Sequence, residues 1–279
     1  MTAVDLNTAP DALNNDQQLP FSQLNTGAGT TILFIHGAFV DRGDWDLVTL
    51  HLPDYHILLP DLPGHGEANT IKPFSTPLAA KLLTTTIRRH ANNGKAHVVG
   101  LSLGAYVALR LAVDYPDVVD ELFISGIKVL PPMSRFAPHG LWLEQRIENA
   151  LPRSFVRWLM DGTDIRPADL SRSTVALCKE VLDTITFADT DSIWPSPWPA
   201  RTLIVAAGKA GIVPSSDHPA DAVKLREIGR QLNCETVAYT HPQMRHPWNR
   251  QDPKLFADTA RAWFEHDAMP EGFTELRVR

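Results

Sequence analysis

Six apolar runs of strand length recur along the chain, at residues 31–36, 55–60, 96–101, 121–126, 202–207 and 235–240. They are near-continuous rather than alternating, which predicts strands buried on both faces. Stretches with apolar residues at helical spacing fall at about 77–92, 103–114, 217–232 and 253–266. Strands alternating with helices predict an α/β fold: a mostly parallel central sheet flanked by helices. In such a sheet the chemistry belongs at the carboxyl ends of the strands. One segment breaks the alternation. From Leu130 to Pro199 no strand pattern occurs, while Leu141–Met160 and Arg172–Thr186 carry apolar residues at helical spacing. Pro131-Pro132 opens this segment, and Pro195, Pro197 and Pro199 close it.

The strand Ala96-His97-Val98-Val99 runs into Gly100-Leu101-Ser102-Leu103-Gly104 and then into a helix-forming stretch from Ala105 to Val113. Gly-x-Ser-x-Gly between a strand and a helix describes a nucleophile elbow. So tight a turn strains the serine backbone and requires small residues two positions before and after it. Gly100 and Gly104 supply them. The turn lifts the Ser102 hydroxyl above the sheet and aims the Leu103 N–H, at the helix N-terminus, toward the same point.

Three further segments join this elbow. The strand 31–35 ends in His36-Gly37-Ala38, the strand 55–59 leads to Asp61-Leu62-Pro63-Gly64-His65-Gly66, and His246 precedes a Pro253-started helix. In this order and spacing the motifs resemble an α/β-hydrolase of the single-domain esterase type over roughly residues 20–266. His36-Gly37-Ala38 with Trp45 behind it resembles the methyl-esterase and hydroxynitrile-lyase branch. The resemblance makes 131–199 a helical cap over the site, inserted into a core of 20–130 and 200–266. Residues 1–19 are then a disordered or loosely docked tail, and 267–279 a C-terminal tail.

The resemblance also assigns roles. Ser102 is the expected nucleophile. Its hydroxyl is too weak an acid to ionise unaided, so a base must touch it. His246 is the candidate, because it stands at the family's distance before the Pro-initiated helix; His241 is its competitor. His36 and His65 resemble structural members of their motifs. The backbone N–H groups of Ala38 and Leu103 form the expected oxyanion hole. Phe39, Trp142, Trp158, Trp194, Trp198 and Trp248 are candidate substrate contacts, although amphipathic helices bury such rings in any case.

The third member departs from the family. Its acid usually stands four residues before a proline, in a Gly-x-x-Asp run. Here the run is Gly208-Lys209-Ala210-Gly211-Ile212-Val213-Pro214, and Ala210 occupies that place. The alternative location, after the strand that precedes the cap, holds no Asp or Glu from Leu122 to Leu143. Either a displaced carboxylate reaches in, Asp217 first and Asp221 second, or Ser102 and His246 act as a dyad. Asp217 also reads as a charge at a helix start, favoured there by the macrodipole.

Composition narrows the classes. A chain of 279 residues with 21% charged and 44% hydrophobic residues fits one large α/β domain. A net charge of −6 disfavours nucleic acid as a partner. No apolar run is long enough to span a bilayer, so no membrane partner is expected. Cys178 and Cys234 form no spacing motif, making a cytoplasmic location the default. No dinucleotide glycine pattern occurs, and His241 with His246 is not metal-ligand spacing, so neither cofactor nor metal is expected. A serine at the elbow argues against epoxide hydrolase and dehalogenase chemistry, which need a carboxylate nucleophile. The expected reaction is hydrolysis of a small-molecule ester, thioester or lactone through an acyl-enzyme. A lyase on the same residues and a degenerate hydrolase that binds a ligand with little turnover are the alternatives. The sequence assigns no oligomeric state.

Overall fold

In chain order the strands are β1 (Phe21–Leu24), β2 (Thr31–Ile35), β3 (His56–Pro60), β4 (Ala96–Leu101), β5 (Val119–Ser125), β6 (Arg201–Ala207), β7 (Val237–His241) and β8 (Thr274–Glu275). They form one sheet in the order β1-β3-β2-β4-β5-β6-β7-β8. The six central strands run parallel, and β1 and β8 pair antiparallel at the two edges. The helices are α1 (Asp46–Thr49), α2 (Thr76–His90), α3 (Leu103–Asp114), α4 (Ala137–Ala150), α5 (Arg153–Leu159), α6 (Val175–Ile185), α7 (Pro219–Gly229), α8 (Trp248–Gln251) and α9 (Pro253–Phe264). The computed structural model describes residues 17–130, 133–185, 194–210 and 216–277.

Period-2 alternation divides each central strand between two cores. On β2, Leu33 and Ile35 face a layer with α2, α3 and α7 residues, while Ile32 and Phe34 face Trp45, Trp248 and Phe256 of the opposite layer. Helix starts are set by local chemistry. Ser75 accepts from the Leu78 N–H at 3.3 Å, and Asp252 accepts from the Leu255 N–H at 2.9 Å just before Pro253. Each such cap is worth about 1 kcal/mol.

Four sequence expectations need correction. β1 and β8 are short, half-polar edge strands that carry no buried-strand signal. Leu19, placed in the N-terminal tail, is fully buried in the core, so the ordered chain begins before residue 20. The segment 267–277, read as part of a C-terminal tail, is docked, because Leu276 N–H donates to Ala238 O at 2.8 Å beside β8. The stretch 141–160 divides into α4 and α5 at Pro152, which has no N–H to continue a helix. The polar stretch 1–16 lies outside the described residues, as do Pro131-Pro132 and Thr186.

Candidate active site

Ser102 stands between β4 and α3 with φ +54° and ψ −122°. Positive φ costs a non-glycine residue on the order of 1–3 kcal/mol and persists only where its surroundings enforce it. Here they do. The Ser102 N–H donates to Ser125 O at 2.9 Å, and the Ser125 hydroxyl in turn accepts from Trp248 Nε1 at 2.8 Å. A Cβ on Gly100 would overlap the Gly104 carbonyl, and one on Gly104 would overlap the Ile35 carbonyl. The elbow therefore has no room for any other residue at either glycine.

Ala38 follows β2 on a loop held by His36, whose Nδ1–H donates to Gly37 O at 2.7 Å and whose Nε2 accepts from Leu62 N–H at 3.0 Å. The second bond needs a neutral ring, and burial pulls the His36 pKa down to about 4. His65, 5.4 Å away between ring centroids, is lowered by burial to about 3. Asp61 pins the neighbouring loops by accepting from the N–H groups of Arg42 and Glu67, both at 2.8 Å. Leu103 is the first residue of α3, so its N–H has no intrahelical acceptor. Ala38, Leu103 and Ser102 line one cavity.

His246 lies on the loop after β7. Its Nδ1 is 2.5 Å from Asp217 Oδ1, while Asp217 Oδ2 accepts from the Ala207 N–H at the end of β6 at 2.7 Å. The Asp217 side chain is 1% exposed, so the pair is shielded from water on the carboxylate side. A carboxylate there keeps the proton on Nδ1 and leaves the Nε2 lone pair to the cavity. Gly126 brings this ring to the elbow: a Cβ at that position would lie 2.7 Å from His246 Cε1 and 3.2 Å from Ser102 N. Both carboxylate oxygens are engaged, Oδ1 by the histidine and Oδ2 by the Ala207 N–H, whereas a helix-start charge would serve the α7 backbone. Asp221 is occupied elsewhere, accepting from the Val129 N–H at 2.9 Å. Ala210 is exposed, and its carbonyl accepts from Arg245 at 2.9 Å. His241 is buried, with its ring 5.0 Å from that of Phe273, and does not line the site.

Three cavities meet at His246, two of them also bordered by Ser102, between the sheet and α4–α6. The largest, about 440 Å³, is mainly apolar and includes Phe39, Leu130, Leu141, Val181 and Ile185. A second, about 240 Å³, is more polar and includes Asp44, Gln145, Arg166 and Asn249. A third, about 320 Å³, passes from His246 and Pro247 to Ile147, Leu151 and Met160. Glu144 borders all three, a position that nothing in the local sequence pattern singles out.

Of the six aromatic candidates, Phe39 lines the site. None of the five tryptophans lines any of these three cavities. Trp198 is buried beneath α7, its Nε1 donating to Thr202 Oγ1 at 2.7 Å, because it enters β6 on the core side. Trp248 fills the opposite core, where α8 directs it against Phe123 and Phe256. Trp194 packs on the rim of the α2–α3 layer. Trp142 holds the Arg146 guanidinium 3.5 Å from its ring centre, and Trp158 points outward, stacked on Phe155. Helical spacing says that a face is apolar; it does not say whether that face meets a cavity, a core or the outside.

A parallel sheet with a strained serine after its central strand, and Ser102, Asp217 and His246 in that chain order, defines the α/β-hydrolase class. The profile of the alpha/beta hydrolase family matches residues 32–259, and the chain belongs to that family. It is 32% identical over 278 residues to an AB hydrolase superfamily protein of Gibberella zeae, covering 98% of this chain and 91% of that one. A pimeloyl-[acyl-carrier protein] methyl ester esterase of Neisseria meningitidis is 35% identical over 111 residues, 39% of this chain and 41% of its own. The solved structure of a thermophilic esterase from Thermogutta terrifontis superposes with a TM-score of 0.62 at 22% identity, covering 89% of this chain and 93% of that one. Among the described residues no helix is long and apolar enough to cross a membrane.

Proposed function

We propose that this protein is a serine hydrolase that cleaves a small-molecule carboxylic ester, thioester or lactone, with the insertion 131–199 acting as a cap over the site. The observation that carries the reading is the 2.5 Å contact between His246 Nδ1 and the buried Asp217 carboxylate. With Nδ1 held protonated, His246 Nε2 takes the Ser102 proton as Oγ attacks the carbonyl carbon. The resulting oxyanion is met by the N–H groups of Ala38 and Leu103, each donor worth on the order of 3 kcal/mol to the transition state. The tetrahedral intermediate collapses with cleavage of the bond to the leaving group, which receives the proton from His246. Water, deprotonated by the same nitrogen, then attacks the acyl-Ser102 ester; its collapse releases the acid and restores the serine. Asp217 does not accept the proton. It fixes the tautomer and stabilises the imidazolium.

The absence of an acid at Ala210 is the ground for the alternative of a ligand-binding protein without turnover; the contact of Asp217 with His246 supports the hydrolase reading over it. A cytoplasmic site of action, on a small-molecule substrate and without a metal or cofactor, belongs to the same proposal. A fluorophosphonate probe is expected to label the protein once, and Ser102→Ala to abolish labelling. Labelling that survives the substitution would overturn the assignment.

A further inference from the structure

α5 ends on two residues in the left-handed region, Asp161 at φ +54° and Gly162 at φ +83°, with the Gly162 N–H donating to Arg157 O at 2.8 Å. This turn places the Asp161 carboxylate against the core. Its Oδ2 accepts from Arg245 Nε and from Lys209 Nζ, each at 2.6 Å. The two cations hold the Asp161 carboxyl below the usual carboxylate range. They belong to the two segments that carry the candidate site. Arg245 immediately precedes His246 on the loop after β7; Lys209 stands two residues after Ala207, whose N–H holds Asp217 Oδ2. One oxygen atom of the insertion therefore joins the neighbour of the histidine to the strand end that anchors its carboxylate.

Most exposed ion pairs contribute little, because water screens them and ordering two long side chains costs entropy. Arg245 is different: it is 7% exposed, and among the described residues Asp161 is the acid that pairs with its guanidinium. A buried charge that loses its counter-charge must move toward water or stay uncompensated. Arg245 cannot move alone. Its Nη1 donates to Ala210 O at 2.9 Å, and its backbone N–H donates to Gln251 Oε1 at 2.7 Å. The same two loops are stitched by the N–H groups of Gly208 and Lys209, which donate to the His241 and Met244 carbonyls, both at 2.9 Å. Movement of the guanidinium would thus pull on both loops, and with them on the 2.5 Å contact between His246 and Asp217. Another ion pair between insertion and core runs elsewhere: Asp164 Oδ2 lies 3.3 Å from Arg250 Nη2, on α8. It provides a contrast, since Arg250 has further acceptors in Asp46 Oδ1 and in the Asp164 and Asp44 carbonyls.

We propose that Asp161 is a positioning residue, an acid of the insertion that braces the His246 loop against the segment leading to Asp217. This role presupposes the hydrolase reading and adds to it: the insertion takes part in the geometry of the base besides covering the site. The test compares Asp161→Asn, which keeps a side chain suited to left-handed backbone and removes the charge, with Asp164→Asn. Amide hydrogen exchange of 207–210 and 241–247 is read on both variants, in the full chain. Exchange in both segments should quicken in Asp161→Asn and stay at the wild-type rate in Asp164→Asn. On a short-chain aryl ester, Asp161→Asn should lower kcat about tenfold, a fraction of the roughly 100-fold that a 1 Å misplacement costs. KM should stay within about twofold, since Asp161 lines none of the three cavities. Asp164→Asn should keep wild-type kcat. Wild-type exchange rates in Asp161→Asn would overturn the proposal. So would faster exchange with unchanged kcat, which makes the ion pairs structural only, or an equal loss of kcat in Asp164→Asn, which makes any anchor of the insertion equivalent. The exchange readout needs no turnover. A wild type that the fluorophosphonate never labels would therefore overturn the hydrolase reading, while exchange still decides whether Asp161 braces the two loops.

Discussion

Two helices of similar length enclose Ser102, α3 below it with 12 residues and α4 above it with 14, and they bury opposite amounts of themselves. α3 leaves only Arg110, Val113 and Asp114 outside the buried core, whereas α4 buries only Pro138 and Gln145. The helix below is clamped on all sides and holds a strained serine at a fixed point. The helix above touches the core through a few residues and turns the rest toward cavities or solvent. What lies below Ser102 fixes the position of its side chain; what lies above borders the cavities. Substitutions should therefore be costly below and tolerated above.

The largest expected effect tests the lower half at its acid. Asp217→Asn should lower kcat on a short-chain aryl ester by roughly 10⁴, the loss seen when a triad aspartate is changed in a serine protease. KM should stay nearly unchanged, since the residue acts on His246 and not on substrate. A kcat within tenfold of wild type would leave Ser102 and His246 as a dyad.

Next comes one substitution made on both helices. Gly104→Ala places a methyl against the Ile35 carbonyl and should destabilise the fold by about 3 kcal/mol. On α4, a Cβ at Gly140 meets nothing within 4 Å, and Gly140→Ala should stabilise by up to about 1 kcal/mol. Urea unfolding of the two variants reads both signs, and equal effects would erase the contrast.

A third expectation concerns pH. Burial lowers His36 from 6.5 to about 4, so between those values the unfolded chain binds a proton that the native state refuses. Stability is then complete above about pH 6.5 and declines as pH falls toward 4, with His36 contributing about 3 kcal/mol of that loss. His65 acts in the same direction. Unfolding midpoints measured across this window should fall for the wild type and fall less for His36→Gln. Parallel curves would assign the acid sensitivity to other groups.

The smallest effect is a null. Ala210→Asp restores a carboxylate at the position where the family usually carries one, yet Ala210 is exposed and its carbonyl is held by Arg245. The variant should keep wild-type kcat within about twofold, and a clear rise would mean that Asp217 is an incomplete substitute.

The sequence by itself determined the central strands, because a strand buried on both faces must be continuously apolar wherever it lies. It determined the elbow too: Gly100, Ser102 and Gly104 answer a steric demand made within five residues. The edge strands β1 and β8 left no such trace, since a short strand with one open side has little to bury. Tertiary structure alone decided the partner of His246. Asp217 stands 29 residues before it, reads locally as a helix-start charge, and becomes its neighbour only because β6 and β7 end side by side. The same holds for the tryptophans and for α4. Helical periodicity reports that a face is apolar, but the direction of that face depends on elements packed from distant parts of the chain. Hence Trp198 and Trp248 went to the core and Trp158 to the outside, while Glu144 came to rest over the serine.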